Sequence, residues 1–101
     1  MDIEKLIADA KARFSHNSAK DYLKAKYESK LIIAACDGLW VADQKTIGFL
    51  SAIPGDQVVL IDTFNNPVLV NRIELLQKLQ TLYSQVMIEW HNEWQAIESM
   101  I

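Results

Sequence analysis

A single cysteine, Cys36, stands in a chain of 101 residues. That excludes an internal disulfide and any zinc cage built from cysteines, and it fits maturation in a reducing cytoplasm. Two prolines and three glycines are too few for a disordered or collagen-like chain, so the expectation is a core that holds without covalent staples. Gly38, Gly48 and Gly55 lie too far apart for a phosphate-cradling loop. No apolar run of about 18 residues occurs, and the N-terminus lacks the charged-then-apolar layout of a signal peptide; the expectation is a chain that neither spans a membrane nor is exported by such a signal. A basic excess is missing too. Ten Lys and Arg against 13 Asp and Glu leave a net charge of −3, which argues against nonspecific nucleic-acid binding.

What is present suffices for one ordinary domain: 50% of the residues are apolar and 23% charged. The net charge hides an asymmetry. Residues 1–30 carry seven basic and five acidic side chains, a balance of +2, whereas 31–101 carry three and eight, a balance of −5. The two portions can attract each other within one chain or between neighbouring copies.

The apolar spacing predicts an α+β fold in three parts: a helical segment over 1–29, two antiparallel β-hairpins flanking a short helix over 30–70, and a long amphipathic helix over 71–101. Ile3, Leu6, Ile7, Ala10 and Phe14 recur at intervals of three and four. Ser15-His16-Asn17-Ser18 then interrupts the pattern, and Ser18 with Asp21 has the spacing of a helix start, so one bent helix and two helices are both compatible with the sequence. Leu23, Tyr27 and Leu31 follow at four-residue intervals. Asp37-Gly38 between the apolar runs 31–36 and 39–42 predicts a two-residue turn with positive φ at both positions. Asp43 is placed to cap a short helix with Ile47, Leu50 and Ile53 on one face. The β-prone run 58–64, the pair Asn65-Asn66 and the run 67–70 predict the second hairpin.

Asn71 and Glu74 have the spacing of a helix cap, and no Gly or Pro occurs from Arg72 onward. Leu76, Leu79, Tyr83, Met87, Trp90, Trp94, Ile97 and Ile101 form a stripe at intervals of three and four, close to a coiled-coil seam. Thirty helical residues span about 45 Å, against a radius of gyration of about 13 Å for a compact domain of this length. The helix is therefore expected to outrun its globule, and its last turns to need cover from helix one or from another chain. Met87, Trp90, Trp94, Ile97 and Ile101 are the candidate protein-binding residues, with aromatic anchors among them of the kind that interfaces concentrate.

Other sites are less well supported. Asp62 at the end of an apolar strand invites a phosphatase or receiver-domain reading, but position 64, where a second carboxylate belongs, is Phe. Asp37, Gly38 and Asp43 do not match the spacing of a calcium loop. His16 and His91 have no His or Cys three or four residues away, so no metal or other cofactor is expected. Cys36 reads as a half-buried small residue, not a nucleophile. Trp40, Trp90 and Trp94 as a stacking platform for sugars or bases compete with a plainer role in packing. No enzymatic activity is expected.

The order Gly38-Leu39-Trp40-Val41-Ala42-Asp43, Thr46-Ile47, Leu50, Ile53, then Val58-Val59-Leu60-Ile61-Asp62, Asn65-Asn66-Pro67-Val68, Glu74-Leu75-Leu76, Tyr83, Trp90, Trp94 and Ile97-Glu98 resembles a small C-terminal domain of unknown function in tailed-phage tail fibre and tail fibre assembly proteins. The resemblance covers about residues 22–101, and it departs in that proteins carrying this domain often have more sequence on the N-terminal side. It implies a non-enzymatic role in building a tail fibre, as a chaperone in the host cytoplasm or as a small subunit kept in the virion. The implied partner is a trimeric fibre, with homo-oligomers expected and the N-terminal lysines meeting acids of the partner. The alternative is a small phage or bacterial regulator that binds and inhibits a host protein.

Overall fold

A computed structural model describes residues 3–99, with side chains placed for Ile3 and from Asn17 onward. Leu6, Ile7, Ala10, Phe14 and His16 are therefore described by backbone alone, and Met100 and Ile101 lie outside the described residues. The chain is α+β: α1 (Ile3–Lys30), β1 (Ile32–Ala35), β2 (Gly38–Val41), α2 (Gln44–Ala52), β3 (Gln57–Ile61), β4 (Pro67–Asn71) and α3 (Arg72–Glu98). Strands β1 and β2 form one antiparallel hairpin and β3 and β4 another, each a separate two-stranded sheet.

The first helical segment is one helix. Ser15-His16-Asn17-Ser18 does not break it, because such residues cost an exposed helix only a few tenths of a kcal/mol each and no Gly or Pro adds to them. The four-residue rhythm of Leu23, Tyr27 and Leu31 becomes a buried stripe. Around it gather Trp40, Ala42, Leu50, Val70, Leu75, Leu79 and Val86, so the core lies where α1 and α3 cross the inner faces of both hairpins.

The first turn differs by one residue from expectation. Ala35 pairs with Gly38, so Cys36 and Asp37 occupy the turn, at φ of 50° and 63°. A left-handed conformation costs an ordinary residue about 1–2 kcal/mol. The register that wins sets Trp40 opposite Ile33, buries the indole, and lets its Nε1 donate to the Ala35 carbonyl at 2.7 Å. Burial of a large apolar side chain contributes about 1.5–3 kcal/mol. Gly38 serves this packing: a Cβ there would lie 2.5 Å from the indole.

Both helix starts follow the sequence. The Asp43 carboxylate accepts from the Thr46 N–H at 2.7 Å, and the Asn71 side-chain oxygen accepts from the Glu74 N–H at 2.9 Å. The end of α2 is closed from a distance, by an Arg72 guanidinium that donates to the carbonyls of Leu50 at 2.9 Å and Gly55 at 2.6 Å. Gln44 joins α2 to α3 by donating to the Tyr83 hydroxyl at 2.7 Å.

Candidate functional site

The C-terminal turns of α3 do not stand alone. The second half of α1 lies antiparallel beside them, and the charges separated along the sequence meet there. Lys26 binds Glu93 with N···O distances of 2.9 and 3.1 Å, Lys30 lies 3.7 Å from Glu89, and the Tyr27 hydroxyl also donates to Glu93. The bonds from Tyr27 and Lys26 hold the Glu93 carboxyl below its ordinary value. The same bonds raise the pKa of Lys26 and of Tyr27. The Tyr27 ring stacks on Trp90, with centroids 5.8 Å apart and planes 11° from parallel, and the Lys20 ammonium lies 5.8 Å from the centre of Trp94.

Of the candidate binding residues, Met87, Trp90, Trp94 and Ile97 are each half-buried, and the last three pack against the core, with α1 touching Trp90 and Trp94. The narrow seam thus finds cover within the chain, while each side chain keeps a solvent-facing part. Ile101 lies outside the described residues. The molecule that carries this ridge is elongated, measuring 65 × 24 × 21 Å with a radius of gyration of 19.3 Å.

Asp62 has a structural position that its sequence context did not reveal. Buried at the junction of the two hairpins, its carboxylate accepts from the backbone N–H groups of Phe64 and Asn66, each at 3.0 Å, and of Leu39 at 3.3 Å. The Thr63 N–H returns a bond to the Leu39 carbonyl at 3.0 Å, and Asn65 takes the left-handed conformation at φ 64°. These amides, led by that of Asn66, lower the Asp62 pKa against the opposing effect of burial. The signal in the sequence is a lone Asp closing an apolar strand before an Asn-rich turn, which suits an Asx turn as well as it suits an acid for chemistry.

Beside this junction, β2, α2 and β3 line an open cleft of about 480 Å³ with Trp40, Asp43, Thr46, Phe49 and Ile61. Asp43 is engaged as a helix cap, Asp62 by backbone amides and the Trp40 nitrogen in the β-turn, which leaves Lys45, Thr46 and Thr63 as the polar side chains of a mixed lining. The Cys36 thiol is pushed up in pKa, first by burial and then by Glu74. Among the described residues no three of His, Cys, Asp and Glu gather as metal ligands, and no helix is long and apolar enough to cross a membrane.

The outer face of the second hairpin was missed from the sequence. Val59, Ile61, Phe64 and Leu69 are largely exposed. An unbroken apolar run such as Val58–Ile61, without polar alternation, is the mark of a strand with apolar side chains on both faces, and that mark was present. No protein family, curated protein or solved structure matches the chain.

Proposed function

We propose that this chain is a non-enzymatic protein-binding module that helps to build a phage tail fibre, as an assembly chaperone in the host cytoplasm or as a small subunit that stays with the fibre. The observation that carries the reading is the ridge of α1 and α3, in which Met87, Trp90, Trp94 and Ile97 lie half-open along about 15 Å of α3. Such a ridge suits docking along a helical or fibrous partner, with the indoles supplying affinity. Lys20 and Lys24 are exposed on the neighbouring helix and would steer an acidic partner into place. The order of elements shared with the tail fibre domain supports the choice of partner.

The test is co-expression with the tail fibre protein of the same genome. The fibre should reach a higher yield of soluble trimer with this chain than without it, and the two should co-elute. Charging the ridge by Met87→Glu together with Ile97→Glu, with helicity checked by circular dichroism, should abolish both effects. A fibre that trimerises equally well alone and never co-elutes refutes the proposal. Recovery from bacterial lysate of a stoichiometric host protein instead, independent of any fibre, would identify a regulator.

A further inference from the structure

The second hairpin has two apolar faces, and the core covers one. Val58, Leu60, Val68 and Val70 turn inward onto the core. Val59 and Leu69, directly opposite each other, and Ile61, opposite Pro67, turn outward. Val59 and Leu69 are each 59% exposed and Ile61 62%, and Phe64 in the connecting turn is 69% exposed. No charged residue lies in β3 or β4. Of the charges at their ends, Asp62 is held by backbone amides and Arg72 by two carbonyls, and Asp56, just before β3, is exposed. Exposed strands ordinarily carry a lysine or another charge that discourages pairing, and a two-stranded sheet needs a further layer for its apolar side.

We propose that this outer face pairs with the same face of a second copy of the chain, hairpin against hairpin about a two-fold axis. Charge is confined to the margins of the face, at Asp56 before β3 and at Lys45 across the cleft from Ile61, and the strands themselves offer only apolar side chains that the same face of a second copy matches. Packed about 10 Å apart, two such sheets interdigitate the outward side chains of both. Val59, Ile61, Pro67 and Leu69 on the face and Phe64 in the turn beside it expose on the order of 500 Å² per copy, so a pairing that covers all of them buries about 1,000 Å², the lower limit for a specific interface. Gln57 and Asn71, a facing pair at the far end of the hairpin, supply a polar rim. The area matches a reversible dimer, and the pairing leaves the α1–α3 ridge outside the interface, so it stands or falls independently of the fibre reading.

Light scattering over a dilution series tests it. The mass should rise from one chain toward two with concentration. Val59→Glu and Leu69→Glu should each stay at one chain with unchanged circular dichroism, because neither position contributes to the core. Ile88→Glu, a charge on an equally exposed apolar residue of α3, should dimerise as the wild type does. Mixing Leu69→Lys with Leu69→Glu chains should restore a two-chain mass. A wild-type protein that stays single across its soluble range overturns the proposal, as does a dimer that both Val59→Glu and Leu69→Glu leave intact.

Discussion

Replacing Gly38 by Ala tests the packing argument at its tightest point. The added Cβ would stand 2.5 Å and 2.8 Å from two carbons of the Trp40 indole and 3.1 Å from its nitrogen. That ring is rigid, buried, and tied to the Ala35 carbonyl, so it cannot swing clear as the end of a lysine would. Overpacking of this kind costs about 1–3 kcal/mol, and a lost indole bond adds about 1 kcal/mol. Against this stands a gain of about 0.4–1 kcal/mol from a less flexible unfolded chain. The net expectation is a destabilisation of about 1–3 kcal/mol, with a fall of about 4–8 °C in Tm for each kcal/mol.

Gly48→Ala supplies the control of opposite sign. It lies within α2 with no atom within 4 Å of an added Cβ, so the change should stabilise by about 1 kcal/mol on helix propensity. Urea unfolding of both variants measures the difference. A double-mutant cycle with Trp40→Phe localises it, since the smaller ring should relieve much of the Gly38→Ala cost. A Gly38→Ala protein as stable as the wild type, or one whose cost is unchanged by Trp40→Phe, would refute the claim that this glycine makes room for the indole.

Leu79→Ala, which empties a fully buried position in the first third of α3, should cost about 2–5 kcal/mol in the same urea assay. Asp62→Ala should raise hydrogen-exchange rates at the amides of Leu39, Phe64 and Asn66 together, because one carboxylate serves all three. The carboxyls of Asp62 and Glu93 have lowered pKa values when folded, so each binds its proton more readily in the unfolded chain. Their stabilisation is complete above the ordinary carboxyl value near 4 and disappears as pH falls through the lower folded value, and Asp62→Asn should flatten that acid limb. Lys26 and Tyr27 have raised values, so their contribution is complete below about pH 10 and is lost at higher pH, a limb that Glu93→Gln should weaken.

Much of this architecture was legible because it depends on local chemistry. Asp43 and Asn71 act as caps at the predicted helix starts, and the four-residue rhythm of Leu23, Tyr27 and Leu31 reads directly as a buried stripe. What was not legible depends on contacts distant in sequence. The first turn slipped by one residue because Trp40 decides it, and nothing adjacent to Asp37-Gly38 discloses where an indole two residues on will rest. Asp62 reads from the sequence as the end of an apolar strand, but its part in joining the hairpins does not, since its partners include an amide 23 residues away in the other hairpin. The outer face of β3 and β4 was written in an uninterrupted apolar run, yet strand propensity alone does not tell a strand covered on one side from one covered on both.

Of the two sources of cover that the length of α3 leaves open, helix one and another chain, the structure shows the first. A helix of 27 residues is about 40 Å long and does exceed a compact domain of this size. A second helix of 28 residues can cover it where it runs alongside and carries matching side chains, and α1 does so, antiparallel, over its second half. The spacing from Lys26 to Lys30 on α1 meets that from Glu89 to Glu93 on α3 in reverse order, which is what antiparallel pairing of four-residue steps requires. The separation of charge along the sequence therefore has an internal use, at the contact of the two helices. Exposed ion pairs contribute little to stability one by one, so the stacked Tyr27 and Trp90 rings must hold the contact while the charges set its register. The cover is one-sided, since a single neighbouring helix closes one flank of a cylinder and leaves the other to solvent. That geometry leaves Met87, Trp90, Trp94 and Ile97 half-open, so the ridge is ordered before any partner arrives and binding need not fix those side chains anew.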